Sequence, residues 1–431
     1  MIETRMSVLV VGGGGREAAL VWKIRQSHLV GGIYAAPGNP GMAKYATCID
    51  IAVTDIAALV AFAKRHNIGL TIVGPEGPLG LAIVDAFEAE SLKIFGPTKV
   101  QAQLELSKVY CKQLLWDNDI PTAPGSICLS VEEAERAIDS ASLPIVVKPD
   151  GCTEGKGVKI CHTRDEAKVH VRSIMVDHIY AKTGDAGEKV VLEEFLEGPE
   201  ASITVLTDGK NYIELATSED HKQREDGDRG LMTGGMGAYS PSVIADALAA
   251  VIRTEIIEKL VRACPSYRGV LYVALKLTKD GPKVLEINCR FGDPETQVIL
   301  PRMKADIVPI FWQIASGKLE MTFGTAVPVE WDSRPCVCVA SVSGRYPESG
   351  YPKGEVITGI EAVEVMTDTI VFQAGTKQAG DQLVTNGGRV LCVSALGSSL
   401  DEAISRAYQG TKLIHFKSQE YRTDIARRSA V

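Results

Sequence analysis

Between Ser7 and about residue 105 the chain alternates short apolar runs with helix-forming stretches, and each run ends on glycine or proline. Runs at 7–11, 33–35, 70–73 and 93–95 lead into Gly12 to Gly15, Pro37 to Gly41, Gly74 to Pro78 and Gly96 to Thr98. Such alternation predicts a parallel sheet covered by helices on both faces, because parallel neighbours need a crossover connection. Open sheets of this kind bind ligands beyond the carboxyl ends of their strands, which is where the glycines and prolines gather.

The 431 residues suffice for roughly three domains at ~150 residues each. With 45% apolar and 23% charged residues and no apolar run of ~18, a globular chain is expected rather than a disordered or membrane-spanning one. A net charge of -8, with Lys and Arg dispersed, opposes binding to nucleic acid and leaves small anions in local basic pockets. Ten cysteines without a C-x-x-C pair, Cys336 and Cys338 alternating in an apolar run, read as reduced core thiols. The N-terminal residues carry no export signal, so a cytoplasmic location is expected.

Chemistry concentrates in Glu286-Ile-Asn-Cys-Arg-Phe-Gly-Asp-Pro-Glu295. A strand period of two sets Leu285 and Ile287 on one face, with Glu286 and Asn288 on the other. Two hard oxygen ligands suit Mg²⁺, which takes few protein oxygens and completes its shell with water and phosphate oxygens. Arg290 follows as a non-titrating fork for phosphate or an oxyanion. The plain alternative is a solvated strand edge running into a Gly-Asp-Pro turn.

Other segments are ambiguous singly. Gly12 to Gly15 with Arg16 can hold a phosphate at a helix N-terminus or make a tight turn, and Glu17 stands where a dinucleotide fingerprint needs glycine. A strand ending on Lys148 runs into Gly151-Cys-Thr-Glu-Gly-Lys-Gly157, a loop able to cover a triphosphate or to close a hairpin. Residues 190–196 form a strand with Glu193 and Glu194, followed by Glu200; it can read a base and a ribose, or be an ordinary edge. The acidic stretch 224–230 is expected to be a mobile substrate loop, His221 a hydrogen-bonding rather than catalytic residue, and 421–431 a solvated tail. Strands near 336–343, 369–372 and 389–395 and a helix near 401–410 suggest a smaller α+β domain.

Lys108, Lys148, Lys156, Glu193, Glu194, Glu200, Glu286 and Asn288 occur in the order that resembles the ATP-grasp ligases. With Arg16-Glu17, Pro37-Gly-Asn39, Val73-Gly-Pro-Glu76, Asp220-His-Lys222, Thr233-Gly-Gly-Met-Gly-Ala-Tyr239, Phe372-Gln-Ala-Gly-Thr376 and Gly387-Gly-Arg-Val390, the chain is similar to the glycinamide ribonucleotide synthetase (phosphoribosylamine-glycine ligase) family. The resemblance implies a multidomain α/β and α+β fold. A pre-ATP-grasp parallel-sheet domain would span 1–105, an ATP-grasp body 106–327 with a lid at about 122–190, and a C-terminal α+β domain 328–431.

It also implies an ATP-dependent ligase in which an amino-acid carboxylate becomes an acyl phosphate that an amine captures. ATP would be held by Lys108, Lys148, Gly155, Lys156, Gly157, Glu193, Glu194, Leu196 and Glu200, and Mg²⁺ or Mn²⁺ by Glu286 and Asn288. Arg290 would be the catalytic cation. Substrates would be held by Gly15, Arg16, Glu17, Asn39, Pro75, Glu76, Asp220, Lys222, Gly235, Met236, Gly237, Asp293 and Glu295. Its partners would be small molecules, with no nucleic acid or membrane, and its state a monomer or small homo-oligomer. The family's pattern is altered at Ala18, Cys152, Thr153, Glu154, Gln223, Leu231, Met232, Lys276 and Gln373. A paralogue joining a different amino acid or amine therefore stays open beside glycine and phosphoribosylamine. A nicotinamide dehydrogenase and a non-catalytic nucleotide sensor explain fewer of the motifs.

Overall fold

The computed structural model describes residues 5–151, 157–180, 187–319 and 329–427. The chain opens on five parallel strands in the order Thr47–Cys48, Val30–Pro37, Met6–Gly12, Ile68–Val73, Ile94–Phe95. Met6–Gly12 is central, and Val8 through Val11 are fully buried because both faces are covered. Val8 and Val10 pack with Leu20 and Ile24 of the helix Gly15–Ile24, while Leu9 and Val11 pack with Leu59 and Phe62 of the helix Ile56–Arg65. A strand dry on both sides is the setting that continuous β-branched runs favour.

A second sheet is antiparallel, in the order Gly125–Cys128, Val190–Glu194, Ile145–Pro149, Lys159–Cys161. It shares a separate core with the helices Val131–Ser140 and Arg164–Met175, through Ile138, Val147, Val171 and Leu192. Ser130 and Thr163 cap those helices by accepting the N–H of Glu133 and Glu166, and the two glutamates reach back to the N–H of Leu129 and His162.

The third sheet runs Tyr212–Glu214, Glu200–Thr207, Gly269–Thr278, Gly281–Asn288, and it corrects one expectation. Ala274 pairs with Glu286 but Leu275 pairs with Val284, so Leu285 is an extra residue in a bulge. Val284 and Ile287 enter the core together, while Leu285 stays half-buried; Leu285 and Ile287 do not share a face.

The last sheet is ordered Glu219–Asp220, Gly237–Ser240, Cys336–Ser343, Arg389–Leu396, Thr369–Gln373, with Gln419–Glu420 also paired to Cys336–Ser343. Its first two strands come from the middle of the chain. Cys336–Ser343 is buried along its whole length, so Cys336 and Cys338 lie in a strand covered on both faces. Two further expectations fail. The stretch 224–230 belongs to a hairpin of Gln223–Glu225 and Arg229–Met232 rather than a loop, and Arg422 of the supposed solvated tail is 2% exposed. Among the described residues no helix is long and apolar enough to cross a membrane.

Candidate active site

A cleft of about 520 Å³ lies between the second and third sheets and reaches the loops that follow the parallel strands. Lys148, Glu193, Glu194 and Leu196 line it from the second sheet and its hinge, Glu200, Glu286 and Asn288 from the third, and Arg16 and Glu76 from the parallel-sheet domain. Lys108, Asp220, Lys222, Arg290, Asp293 and Glu295 complete that wall, so most of the residues selected by sequence come together.

At the hinge, one carboxylate serves two lysines. Glu193 lies 2.7 Å from Lys112 Nζ and 2.7 Å from Lys148 Nζ, all three nearly buried. Burial would raise the Glu193 carboxyl, but Lys148 and Lys112 outweigh it and set it below the usual range. Lys148 also donates to the carbonyl of the bulged Leu285 at 3.1 Å, so the bulge helps aim a lid cation. Two cations on one anion leave surplus positive charge facing the cleft, which favours an anionic ligand. Lys108 donates to Gly151 O at 2.7 Å, anchoring the start of the glycine loop. Gly155 and Lys156 lie outside the described residues, as do Cys152, Thr153 and Glu154, and Gly157 begins the next described segment.

Glu193 and Glu194 differ sharply despite being neighbours, since Glu194 is exposed. Glu193→Gln is expected to cost about 3–5 kcal/mol of unfolding free energy, because it strands two buried ammonium groups. Glu194→Gln should stay within ~0.5 kcal/mol. Urea titration of both variants checks this, and equal midpoints would refute the hinge assignment.

On the opposite wall Glu286 is 44% exposed toward the cleft, 3.6 Å from Lys222 Nζ. Burial pushes its carboxyl up, but Lys222, Lys148, Lys108 and Arg290 together hold it below its ordinary value. Asn288 spends its Nδ2 on Glu105 Oε1 at 3.2 Å, leaving the amide oxygen as the end available to a cation. An ionised carboxylate and an amide oxygen facing a cleft rich in cations fit a magnesium ion that shares its shell with phosphates. Among the described residues there is no cluster of three or more His, Cys, Asp and Glu of the kind a self-sufficient metal cage needs.

Arg290 bridges two carboxylates, with Nε 3.2 Å from Glu76 and Nη2 3.0 Å from Glu105. The two respond oppositely. For Glu76 the effect of burial is overcome by Arg290 and Arg16, so its carboxyl falls below the usual range. Glu105, with a side chain only 4% exposed, is pushed up to about 7 by burial, which Arg290 does not fully offset.

The glycine turn is filled from within. Glu17 accepts the Gly14 N–H at 2.6 Å and Arg16 Nε at 2.6 Å, and a Cβ at Gly74 would lie 2.2 Å from its Oε1. The glycines thus admit a buried carboxylate, and Arg16 is turned to the Phe291 carbonyl at 3.0 Å. Asn39 donates to Gly13 O and Gln373 O, both at 2.9 Å, tying the parallel-sheet domain to the last sheet. Pro75 precedes the helix Glu76–Gly80, and Gly15 begins the helix Gly15–Ile24.

Asp293 sits 3.4 Å from Arg389 Nη1; against the effect of burial, Arg389 and Arg16 lower its carboxyl. Arg389 Nη1 also donates to Gly234 O at 2.8 Å and Asp293 O at 2.6 Å, and Glu295 accepts the Tyr272 hydroxyl at 2.6 Å. Met236 is 1% exposed within a hydrophobic cluster, between Gly235 and Gly237, so it packs the wall from behind.

Lys112, Glu105, Tyr272 and Arg389 were not singled out by sequence. Lys112 follows Lys108 by one helical turn and Arg389 lies in the quoted Gly387 to Val390 motif, which were the available signals. Lys276, noted only as a departure, stands directly opposite Glu200 in the strand pair, 3.2 Å from it.

Models of the phosphoribosylglycinamide synthetase N domain, ATP-grasp (A) domain and C domain match residues 6–105, 106–296 and 336–428. The phosphoribosylamine–glycine ligase of Yersinia pestis is 46% identical over 433 residues, covering 98% of this chain and 99% of the relative. That of Rhodopirellula baltica is 44% identical, covering 99% of both. The crystal structure of the phosphoribosylamine–glycine ligase from Thermotoga maritima superposes with a TM-score of 0.83 at 30% identity, over 97% of this chain and 100% of that one. The biotin carboxylase domain of Hydrogenobacter thermophilus 2-oxoglutarate carboxylase, solved with MgADP, shares the fold at a TM-score of 0.73 and 17% identity. Three matched domains in series and relatives similar from end to end place this chain in the phosphoribosylglycinamide synthetase family.

Proposed function

We propose that the protein joins glycine to 5-phosphoribosylamine, converting ATP to ADP and phosphate and yielding glycinamide ribonucleotide for purine biosynthesis. The observation that carries the reading is the meeting of Lys148 from one sheet with Glu286 and the Leu285 carbonyl from the other, in a cleft also lined by Lys108 and Arg290. A glycine carboxylate oxygen attacks the γ-phosphorus, the bond to the β-phosphate oxygen breaks and ADP leaves. The amine nitrogen then attacks the acyl carbon, phosphate departs and the nitrogen gives up a proton.

Lys108 and Lys148 hold phosphates, with Gly155, Lys156 and Gly157 as the covering loop. The hinge from Glu194 to Leu196 faces the base, and Glu200 the ribose. Glu286 and Asn288 would hold Mg²⁺, or Mn²⁺ in its place, whose charge neutralises the phosphates. Arg290 stabilises the developing oxyanion in a site with little water. Around them, Arg16, Asn39, Glu76, Asp220, Lys222, Asp293 and Glu295 surround the amino acid and the amine, supported by the backbone at Gly15, Pro75, Gly235 and Gly237. This describes a cytoplasmic enzyme of small molecules, monomeric or a small homo-oligomer, without nucleic-acid or membrane partners.

A paralogue with other substrates draws no support from the departure at Gln373. Gln373 keeps a polar role, its Oε1 accepting the Thr376 hydroxyl at 2.9 Å while its carbonyl accepts from Asn39. The reading is tested by ADP release with each amino acid paired with fresh phosphoribosylamine or other amines, the product being weighed by mass spectrometry. Release is expected to require glycine and phosphoribosylamine together; turnover with another pair and none with this one would overturn it.

A further inference from the structure

We propose that the C-terminal segment 420–427 is a clasp that sets the position of the hairpin Gln223–Met232 at the mouth of the cleft, with Arg422 as its central positioning residue. The Arg422 side chain is 1% exposed, the environment of a core residue rather than of a tail. Its Nη1 donates to the Gln223 carbonyl at 3.0 Å and to Asp228 at 2.8 Å, both in the hairpin. Its Nε and Nη2 are held by Asp424 at 2.8 and 2.7 Å, which fixes the fork. Asp424 in turn accepts the Gly227 N–H at 2.8 Å, and Asp226 accepts the Thr423 N–H at 2.8 Å and its hydroxyl. Arg224 pairs with Glu420. The tip and one strand of the hairpin are thereby bonded to a segment almost two hundred residues later.

The base of the hairpin is held by the same segment. His221 is fully buried and its Nε2 accepts the Ala426 N–H at 3.0 Å, so a neutral ring carries its proton on Nδ1, 3.7 Å from Asp228. On either side of His221 are Asp220 and Lys222, both in the cleft wall. The Lys222 carbonyl accepts the Thr233 N–H and hydroxyl, each at 2.8 Å, which closes the hairpin beside Met232, Thr233 and Gly234 of the same wall. An isolated two-stranded hairpin is marginally stable in water, so where this one rests depends on what it is bonded to. Its second strand, Arg229–Met232, is exposed throughout. The clasp therefore carries positional information from the end of the chain to Lys222, and through it to Glu286.

The inference rests on the reading that residues 220–237 handle the amino acid and amine, and its test has an arm that needs no substrate. In full-length Arg422→Ala, amide hydrogen exchange across 223–232 is expected to quicken at least ~10-fold, as loss of a buried charged partner implies. The KM for the amino acid should rise about tenfold while the KM for ATP moves less than about twofold. Asp228→Asn, which removes charge from a side chain 43% exposed, should give the same split in milder form and decides the matter if Arg422→Ala does not fold. Unchanged exchange in the hairpin, or KM values for ATP and amino acid rising together, would overturn the clasp. Failure of the proposed reaction would leave the exchange result standing, so the two readings fall separately.

Discussion

Replacing Glu286 by alanine is expected to lower kcat for ADP release by at least ~10³-fold, since it removes the carboxylate that would hold the cation against the phosphates. The fold should survive. Glu286 is 44% exposed in the cleft, and its nearest ion-pair partner, Lys222 at 3.6 Å, retains Asp220 at 3.8 Å. Unfolding free energy is therefore expected to change by less than ~1 kcal/mol. Glu286→Gln, which keeps the shape and loses the charge, should be nearly as inactive. Calorimetric titration of metal into the ATP-loaded protein provides a readout independent of turnover, and both variants should bind the metal at least tenfold more weakly. Wild-type turnover in Glu286→Ala at saturating metal would refute the assignment.

Arg290→Met should damage both rate and stability. It leaves Glu76 and Glu105 without the cation that bridges them, a change expected to cost about 3–5 kcal/mol of stability. It should also lower kcat by ~10²–10³-fold through loss of oxyanion stabilisation. Arg290→Lys separates the two effects, because one ammonium restores charge but cannot fork between two carboxylates; stability should recover in part and rate should not. Acid should narrow the stability deficit. Burial already pushes Glu105 up to about 7 with Arg290 present, above the range of an unfolded glutamate. The folded state therefore takes up a proton before the unfolded chain does, and lowering the pH from above 7 toward 5 favours folding more strongly once Arg290 is gone. Urea titrations at pH 8 and pH 5.5 check the sign. Full kcat in the lysine variant would remove Arg290 from the chemistry.

What could be read from sequence follows from how local the signal is. The parallel sheet announced itself because each strand and its glycine-rich exit are contiguous, and Glu286 with Asn288 because two positions on one strand share a face. Lys112 was invisible, since a lysine in a helix looks solvated until the buried Glu193 packs against it. Leu285 broke the alternation through a bulge that depends on the neighbouring strand, and periodicity within one strand does not contain that information. Taken singly, Arg422 and the hairpin look like tail and loop, because their charges balance only across a sequence separation near two hundred residues. Composition registers the charges of each segment and misses their pairing. The residues called on for the cleft were gathered by the fold from all four sheets, and Glu105 and Arg389, which hold Asn288 and the Asp293 backbone, line the same cleft.

The last sheet has a bearing on how this protein is made. Its strand Gly237–Ser240 finds its neighbour in Cys336–Ser343, which the ribosome delivers about a hundred residues later. At roughly 5–20 residues per second, that edge stays open for some 5–20 s of synthesis. During this interval the nascent chain exposes unpaired backbone along Gly237–Ser240, a natural docking point for another strand. Delivery of Cys336–Ser343 thus closes that edge and ends its exposure.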